Sequence, residues 1–545
     1  MKKFTLFVAL FAIWHGALAG GLLTNYNQSA QYIRMLSRNA STDIDAVFFN
    51  PAGLIKLEDG WHFAFYSQTI FQDKTVDSNF PFLNDGYYLG EVNVPVFPTA
   101  FAVYKMEDWA FSLGFGPNSG GGSAEFERGL PSFEIPITKV VPALTPLAQI
   151  NPAWAVSGYD ANLTFNGSSV YWGIQLGATY SLSDAFSVYG GLRYLPAKNS
   201  YGGSIRNIQL KAAGEMVAAP SWLNQVSEAV GGMYAMAGAA AQNLSPIIDA
   251  GAGTFTLAEL EQAGQLDAAS RVAIEQGLAN FGVASPDELS VNEIQQVFLG
   301  AESQLAGTAT TLNTTAGQLT DREVKTEQTG AGFTPMVGIN ISPSENLNIA
   351  LKYEMKTNLT LTNETEVDDL GLFPDGVESQ NDIPALFTAG VGYKASDWLE
   401  AQLSYNLYFD KGVDWGPNVR DLAIWEDVNP EQIRSREIDN NYYELGLGLQ
   451  FNLSEYFAFS IGGLRSAAGI ADSWQSDFSF SNPSYSAGAG IMYKITDNLT
   501  LDAGVSNTFY EERTVTFNDP HIGTYTETYD KSTLNIAVGL SYSIF

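Results

Sequence analysis

Hydrophobic and polar residues alternate with period two along much of this chain. In the stretch 398–409, Leu399, Ala401, Leu403, Tyr405, Leu407 and Phe409 share one face, while Glu400, Gln402, Ser404, Asn406 and Tyr408 share the other. Period two puts these sets on opposite sides of a β-strand. Leu499, Leu501, Ala503 and Val505 alternate in the same way with Thr500, Asp502, Gly504 and Ser506, as do Leu534, Ile536, Val538, Leu540, Tyr542 and Ile544 with their neighbours. One face suits lipid and the other suits a wet lumen.

Turn signals join these strands in pairs. Compact polar turns recur at Glu107-Asp108, Ser183-Asp184, Ser344-Glu345, Ser396-Asp397, Ser454-Glu455 and Thr496-Asp497, several followed by an aromatic such as Trp109, Phe186, Trp398 or Tyr456. The other connections are mostly long, at 77–92, 118–167, 210–321, 366–382 and 415–439, with short ones at 471–477 and 518–523. Short turns beside an aromatic girdle on one side, with long loops on the other, are the asymmetry of a transmembrane barrel. Counting strands between these marks predicts fourteen, from Trp61 to Phe545, within a barrel spanning 61–545. The long loops then face outward. Two segments break the pattern. Residues 20–60 are polar and partly helical. Residues 211–320 are rich in Ala, Gln, Glu and Leu, and predict amphipathic helices at Leu257–Ala263 and from Asp287 through Ile294, Val297 and Phe298. By loop parity this insertion is extracellular, either as a solvated decoration or as a lid or capture surface.

Composition agrees with this picture. The 545-residue chain has a formal net charge of −32, which argues against a nucleic-acid partner. Charged residues make up only 16%, below the quarter usual in soluble proteins, and aromatics reach 13% with 52 glycines. Such numbers alone also fit a soluble secreted all-β protein; the sorted loop lengths decide for a membrane. No cysteine is present, so there is neither a disulfide framework nor thiolate chemistry. Residues 1–19 read as an export signal: Lys2 and Lys3, an apolar run from Phe4 to Trp14, then Ala17-Leu18-Ala19 before cleavage.

A polar segment between an export signal and a barrel fits best inside the bore, as a plug. Its residues Gly20-Gly21-Leu22-Leu23-Thr24-Asn25-Tyr26-Asn27-Gln28-Ser29-Ala30, Ser37-Arg38-Asn39-Ala40-Ser41 and Asp45-Ala46-Val47-Phe48-Phe49-Asn50-Pro51-Ala52-Gly53 closely resemble the N-terminal hatch of the FadL family. The triplet Asn50-Pro51-Ala52, followed by Gly53, looks like that family's hatch motif; Asn151-Pro152-Ala153 repeats the triplet in a loop. Members carry long-chain fatty acids and other hydrophobic compounds across the outer membrane. The resemblance therefore implies a fourteen-stranded antiparallel transmembrane β-barrel with an N-terminal hatch. It also implies a kink in the third strand, around Gly114, Gly116 and Pro117, that opens a side window for release into the bilayer. Asn50-Pro51-Ala52 is expected to pack near that window, with hatch movement as the gate. Related members take up aromatic hydrocarbons. A surface-adhesion or structural barrel whose insertion binds a partner is the reading from another class.

Burying each CH₂ gives about 0.8 kcal/mol, so a sixteen-carbon chain gains on the order of 10 kcal/mol, whereas an unpaired carboxylate costs several kcal/mol to bury. A Lys, an Arg or backbone N–H groups should therefore meet the head group. Strand parity points Arg193 and Lys352 into the lumen, together with Glu354, either as a structural salt bridge or as head-group ligands. Arg34 and Arg38, four apart on the hatch helix, predict anchors to acidic lumen residues. Expected partners are hydrophobic small molecules, outer-membrane lipid and lipopolysaccharide, and the assembly machinery through the C-terminal strand; Phe545 reads as the assembly signal although it is out of phase with Tyr542 and Ile544. No cofactor or metal is called for. The mature chain keeps only His62 and His521, and contains no Gly-x-Ser-x-Gly, Walker or Gly-x-Gly-x-x-Gly pattern, so the sequence gives no support to an enzyme.

Overall fold

A computed structural model of the protein describes residues 24–413, 415–417, 438–472, 475–477, 480–519 and 522–545. The export signal at 1–19 and the first hatch residues 20–23 lie outside them, as does most of the 415–439 loop.

Fourteen antiparallel strands close into a barrel. They are β1 Gly60–Ser78, β2 Tyr87–Met106, β3 Trp109–Phe126, β4 Val156–Ser183, β5 Phe186–Ala212, β6 Arg322–Ser344, β7 Leu347–Glu354 continued by Thr360–Asp368, and β8 Glu378–Asn381 continued by Leu386–Ser396. Then come β9 Leu399–Tyr408 with Trp415–Pro417, β10 Tyr443–Asn452, β11 Phe457–Ala467, β12 Ser484–Thr496, β13 Leu499–Tyr510 with Arg513–Asp519, and β14 Gly523–Ile544. Closure is by β14 on β1, in a ladder running from Trp61↔Ile544 to Ser78↔Glu527. All six polar turns predicted from sequence join strands here. At the other end the strands reach further than predicted. β3 continues to Phe126 and β4 starts at Val156, so both ends of the 118–167 segment are wall.

Side chains sort by parity. On β1, Trp61, Phe63 and Phe65 are exposed on the outside, while His62, Ala64 and Tyr66 are buried inside. On β9, Leu403 faces out and Gln402, Ser404 and Asn406 face in. Aromatic pairs ring the short-turn end: Trp61 with Tyr104 at 4.7 Å, Trp109 with Tyr180 at 4.6 Å and Trp398 with Phe451 at 6.2 Å between centroids. Phe545 keeps the inward parity and meets His62 edge-on at 5.9 Å. Leu447, exposed in the middle of β10, tests the lipid-facing assignment. Leu447→Arg should lower unfolding stability in bilayers by about 2–4 kcal/mol if it sits near the midplane, as read by urea titration; an unchanged midpoint would mean this face does not meet lipid.

The segment 24–54 lies within the barrel. Helix α1, Ala30–Met35, starts at Ser29, whose hydroxyl accepts from the Tyr32 N–H at 2.9 Å, and ends at Leu36 in the left-handed region (φ 53°). Helix α2, Ala46–Phe49, runs into a 3₁₀ turn at Pro51–Lys56. Tyr26, Tyr32, Phe48 and Phe49 form the hatch core, with Tyr32 stacked on Phe49 at 5.4 Å, against Phe101, Val103 and Tyr408 of the wall. Many wall glycines under α1 face inward. A Cβ on Gly446, Gly448, Gly462, Gly488, Gly490 or Gly504 would run into the backbone or Cβ of residues 33–36, so the helix lies directly on bare strand backbone.

The residues 136–162 and 206–321 form a compact unit of their own. After a short hairpin arm at Glu215–Ala218 come helices Ala219–Ile247, Leu257–Gln262, Ala268–Asn280 and Val291–Gln318. Leu244, Leu257, Leu260, Leu278, Ile294 and Phe298 make its core. Capping boxes at Thr256 with Glu259 and Ser290 with Glu293 fix two helix starts. Arg271 ties the unit's turns together: Glu275, then Glu261 and Asp287, bond its guanidinium and hold its proton more tightly than usual.

Candidate functional site

The hatch is fixed to the wall by polar contacts that its sequence partly announces. Arg34 Nε meets Asp502 of β13 at 3.0 Å, and its Nη1 donates to Gln450 of β10 at 2.7 Å and to Ser460 of β11. Arg38 does otherwise. It lies past the end of α1, because Leu36 turns the chain out of the helix, and its partners are Asp43 at 2.6 Å and Asp45 at 2.8 Å, both within the hatch. The anchor to the lumen expected of Arg38 is thus an internal tie.

Asn50 donates to the Ser41 carbonyl at 2.9 Å and to Asn340 of β6 at 2.7 Å. The Pro51 and Ala52 carbonyls accept from Thr179 of β4 and Ser187 of β5, each at 2.7 Å. A Cβ at Gly53 would overlap the Asn50 side chain. Thr179 sits close to the Ser183-Asp184 turn, so the motif is bonded near the short-turn end of β4–β6, and the structure places it away from the third-strand kink. The loop copy at Asn151-Pro152-Ala153 also opens a 3₁₀ turn. The local shape is intrinsic to the triplet; the wall contacts are what distinguish the hatch copy.

The wall is interrupted between β2 and β3. Their ladder runs from Met106↔Trp109 to Ala100↔Phe115, stops, and resumes at Val92↔Ala124. Residues 93–99 of β2 and 116–123 of β3 have no ladder between them. On β3, the pairing with β4 slips at Pro117 and again at Gly120, where Gly120 (φ 65°) and Gly121 (φ 108°) take conformations closed to most residues. Gly116 opens the break, whereas Gly114 still pairs with Phe101. Both approach the hatch closely: a Cβ would meet Val47 at Gly114 and Gln28 at Gly116. The opposite lip was missed from the sequence, although Pro95 and Pro98 in β2 carry the signal. Proline has no N–H to give a ladder, and two of them inside one strand mark an edge.

Residues 24–28 line this break from within. Thr24 bridges to Ser119, the Asn25 N–H donates to the Asn118 carbonyl at 2.8 Å, and Asn25 Nδ2 donates to the Gly120 carbonyl at 2.6 Å. Gln28 Nε2 donates to the Pro117 carbonyl at 2.9 Å. Beyond the hatch, toward the long-loop end, lies a lumen cavity of about 490 Å³. Tyr26, Ile33 and Leu36 of the hatch line it, as do Val92, Val94, Phe97 and Gly120–Gly122 from the two lips and Lys74, Glu444 and Lys531 from the wall.

Arg193 and Lys352 both face inward and are buried, and both hold Glu354: Arg193 Nη1 at 2.6 Å and Lys352 Nζ at 2.7 Å. Arg193 also donates to Gln175 at 2.7 Å, and Lys352 to the Phe48 carbonyl of α2 at 2.6 Å. The two cations lie 5.1 and 4.9 Å from the Phe48 ring centre. The cluster bonds α2 to β5 and β7, with two cations sharing one carboxylate.

Comparison with known proteins bears on this arrangement. The sequence family described as "Outer membrane protein beta-barrel domain" matches residues 358–542. The crystal structure of a Pseudomonas aeruginosa FadL homologue superposes with a TM-score of 0.56 at 11% identity, covering 96% of this chain and 100% of that one. The chain has the β-barrel fold of the FadL homologue. The toluene transporter TodX of P. putida is also similar, at TM-score 0.47 and 11% identity over 92% of this chain and 95% of that one. So is the Ralstonia pickettii toluene transporter TbuX, at TM-score 0.44 and 14% identity over 92% and 94%. No curated protein matches.

Proposed function

We propose that this barrel takes up hydrophobic molecules by passive, gated diffusion. They gather in the lumen cavity and leave sideways into the bilayer through the break between β2 and β3. Long-chain fatty acids are the leading cargo and aromatic hydrocarbons the alternative. The observation that carries the reading is the pairing of a stoppered bore with a local loss of ladder in the wall. The hatch stands in the way of a water-soluble solute, bonded to β1, to β3–β11 and to β13. A greasy one meets Val92, Val94 and Phe97 on the inner side of the break and lipid on the outer side. Segment 24–28, rather than 50–52, is the part of the hatch bonded to the break and is the element that gates it.

The chain has no cysteine, so engineered thiols report cleanly. Val96 and Ser123 are exposed on the two lips. Val96→Cys with Ser123→Cys, joined by a reducible bifunctional thiol reagent, should reduce uptake of a radiolabelled hydrophobic probe about tenfold, and reductant should restore it. Undiminished uptake by the joined protein would rule out exit through this break.

A further inference from the structure

The cavity holds a second pair of cations, which strand parity did not single out. Lys74 on β1 and Lys531 on β14 stand directly opposite each other across the seam that closes the barrel, and both line the cavity. Like charges placed directly across an antiparallel pair destabilise the sheet. The buried cations that bond the wall to the hatch each hold a carboxylate: Arg34 holds Asp502, and Arg193 and Lys352 hold Glu354. Neither Lys74 nor Lys531 forms an ion pair among the described residues. Lys531 Nζ donates to the Phe480 carbonyl and lies 4.3 Å from the Phe480 ring centre. Among the described residues the one carboxylate lining the cavity, Glu444, accepts from Asn406 at 2.8 Å, Tyr442 at 3.1 Å and Tyr408 at 3.3 Å. With 59 acidic residues against 27 basic ones, two adjacent unneutralised lysines run against the composition of the chain.

Their surroundings are apolar in one direction. The β1–β2 register runs Lys74↔Gly90, Gln72↔Val92, Ile70↔Val94 and Gln68↔Phe97. Val92, Val94 and Phe97 all line the cavity, and Phe97 lies in the unpaired stretch of β2. From Lys74 to Gln68 the strand covers about 20 Å at its usual rise. A cationic spot therefore stands at one end of an apolar track whose other end is the break in the wall.

Resting on the uptake reading above, we propose that Lys74 and Lys531 form the head-group site for a single-chain anionic amphiphile. Its carboxylate sits between the two ammonium groups, and its tail lies along Val92, Val94 and Phe97 toward the break. The anion removes the repulsion across the seam and is itself spared unpaired burial. A neutral monoaromatic gains nothing from the lysines and is too short to follow the track. The assignment therefore favours a long acyl chain with a charged end over a hydrocarbon.

The test uses the full-length protein in nanodiscs with two probes of equal tail length, palmitate and hexadecanol. Lys74→Gln with Lys531→Gln should raise the palmitate dissociation constant about tenfold or more, the usual worth of hydrogen bonds to a charged group, and leave that of hexadecanol in place. Lys74→Arg with Lys531→Arg should keep palmitate binding. The ligand-free Gln variant should melt no lower than wild type, since a repulsion is gone, which separates lost binding from lost folding. Palmitate binding indifferent to the Gln pair, or both probes weakening together, would overturn the assignment, as would wild-type protein that prefers hexadecanol. Uptake indifferent to the Val96–Ser123 link overturns the exit route instead and leaves the binding result standing.

Discussion

Gly462→Val is expected to turn the stoppered barrel into a conducting pore. Gly462 lies on the inner face of β11, beneath the C-terminal end of α1. A Cβ built there overlaps the Met35 carbonyl group itself. The clash is side chain against backbone, so no rotamer of Met35 relieves it. Either α1 lifts from the wall or the wall bulges. Overpacking costs typically 1–3 kcal/mol, and the strain falls on the bonds from Arg34 to Asp502, Gln450 and Ser460 that hold the helix down. Planar-bilayer recordings should show ion conductance where the wild type is silent. Gly463, the next residue, supplies the control. It faces outward, and a Cβ there meets only the Ser486 carbonyl oxygen at 3.8 Å, so Gly463→Val should stay silent. Equal conductance in the two variants, or silence in both, would remove the glycine bed as the seat of the hatch.

That bed also shows where sequence reading stops. The 52 glycines entered as a bulk property of barrels, because glycine carries no sign of which face it serves. Only the helix resting on them gives Gly448, Gly462 and Gly488 a common purpose. The outer face was legible, since Leu403, Leu447 and Val538 have polar or small neighbours that fix their parity. The polar turns were legible for the same reason, each a short acidic break between two alternating runs. The loop ends of the strands were not. In 156–167 of β4 an alternation is present, with Tyr159, Ala161, Leu163 and Phe165 on the buried face, but Gly158, Asp160, Asn162, Asn166 and Gly167 punctuate it like turn residues and it reads as loop. Arg193, Lys352 and Glu354 were legible as inward residues, but their mutual contact joins β5 to β7, which no spacing in the chain reports. Lys74 and Lys531 are further apart still, at the two ends of the barrel sequence, and only closure makes them neighbours.

The hatch has a second point of failure, independent of its seat. Asp45 is fully buried and accepts from Arg38 Nε and Nη2, each at 2.8 Å, from Ser29 at 3.0 Å, and from Ser41. Ser29 caps α1 and Asp45 immediately precedes α2, so one carboxylate welds both helix starts to the loop between them. Removing it leaves the buried Arg38 with Ser41 and one carboxylate, Asp43, whose side chain is 64% exposed. Breaking one side of a buried pair costs about 3–5 kcal/mol, a large share of what a segment of this size can lose. Asp45→Ala should therefore unfold the hatch in place. Hydrogen exchange at residues 29–56 should approach that of an open loop while the barrel strands stay protected. In Gly462→Val the same amides should stay protected although the pore conducts, because the weld is intact and only the seat is lost. Arg38→Met with Asp45→Leu, which removes both charges together, should recover much of the protection lost in the single variant. If Asp45→Ala leaves exchange across 29–56 as slow as in wild type, the weld contributes nothing, and the hatch owes its order to the wall alone.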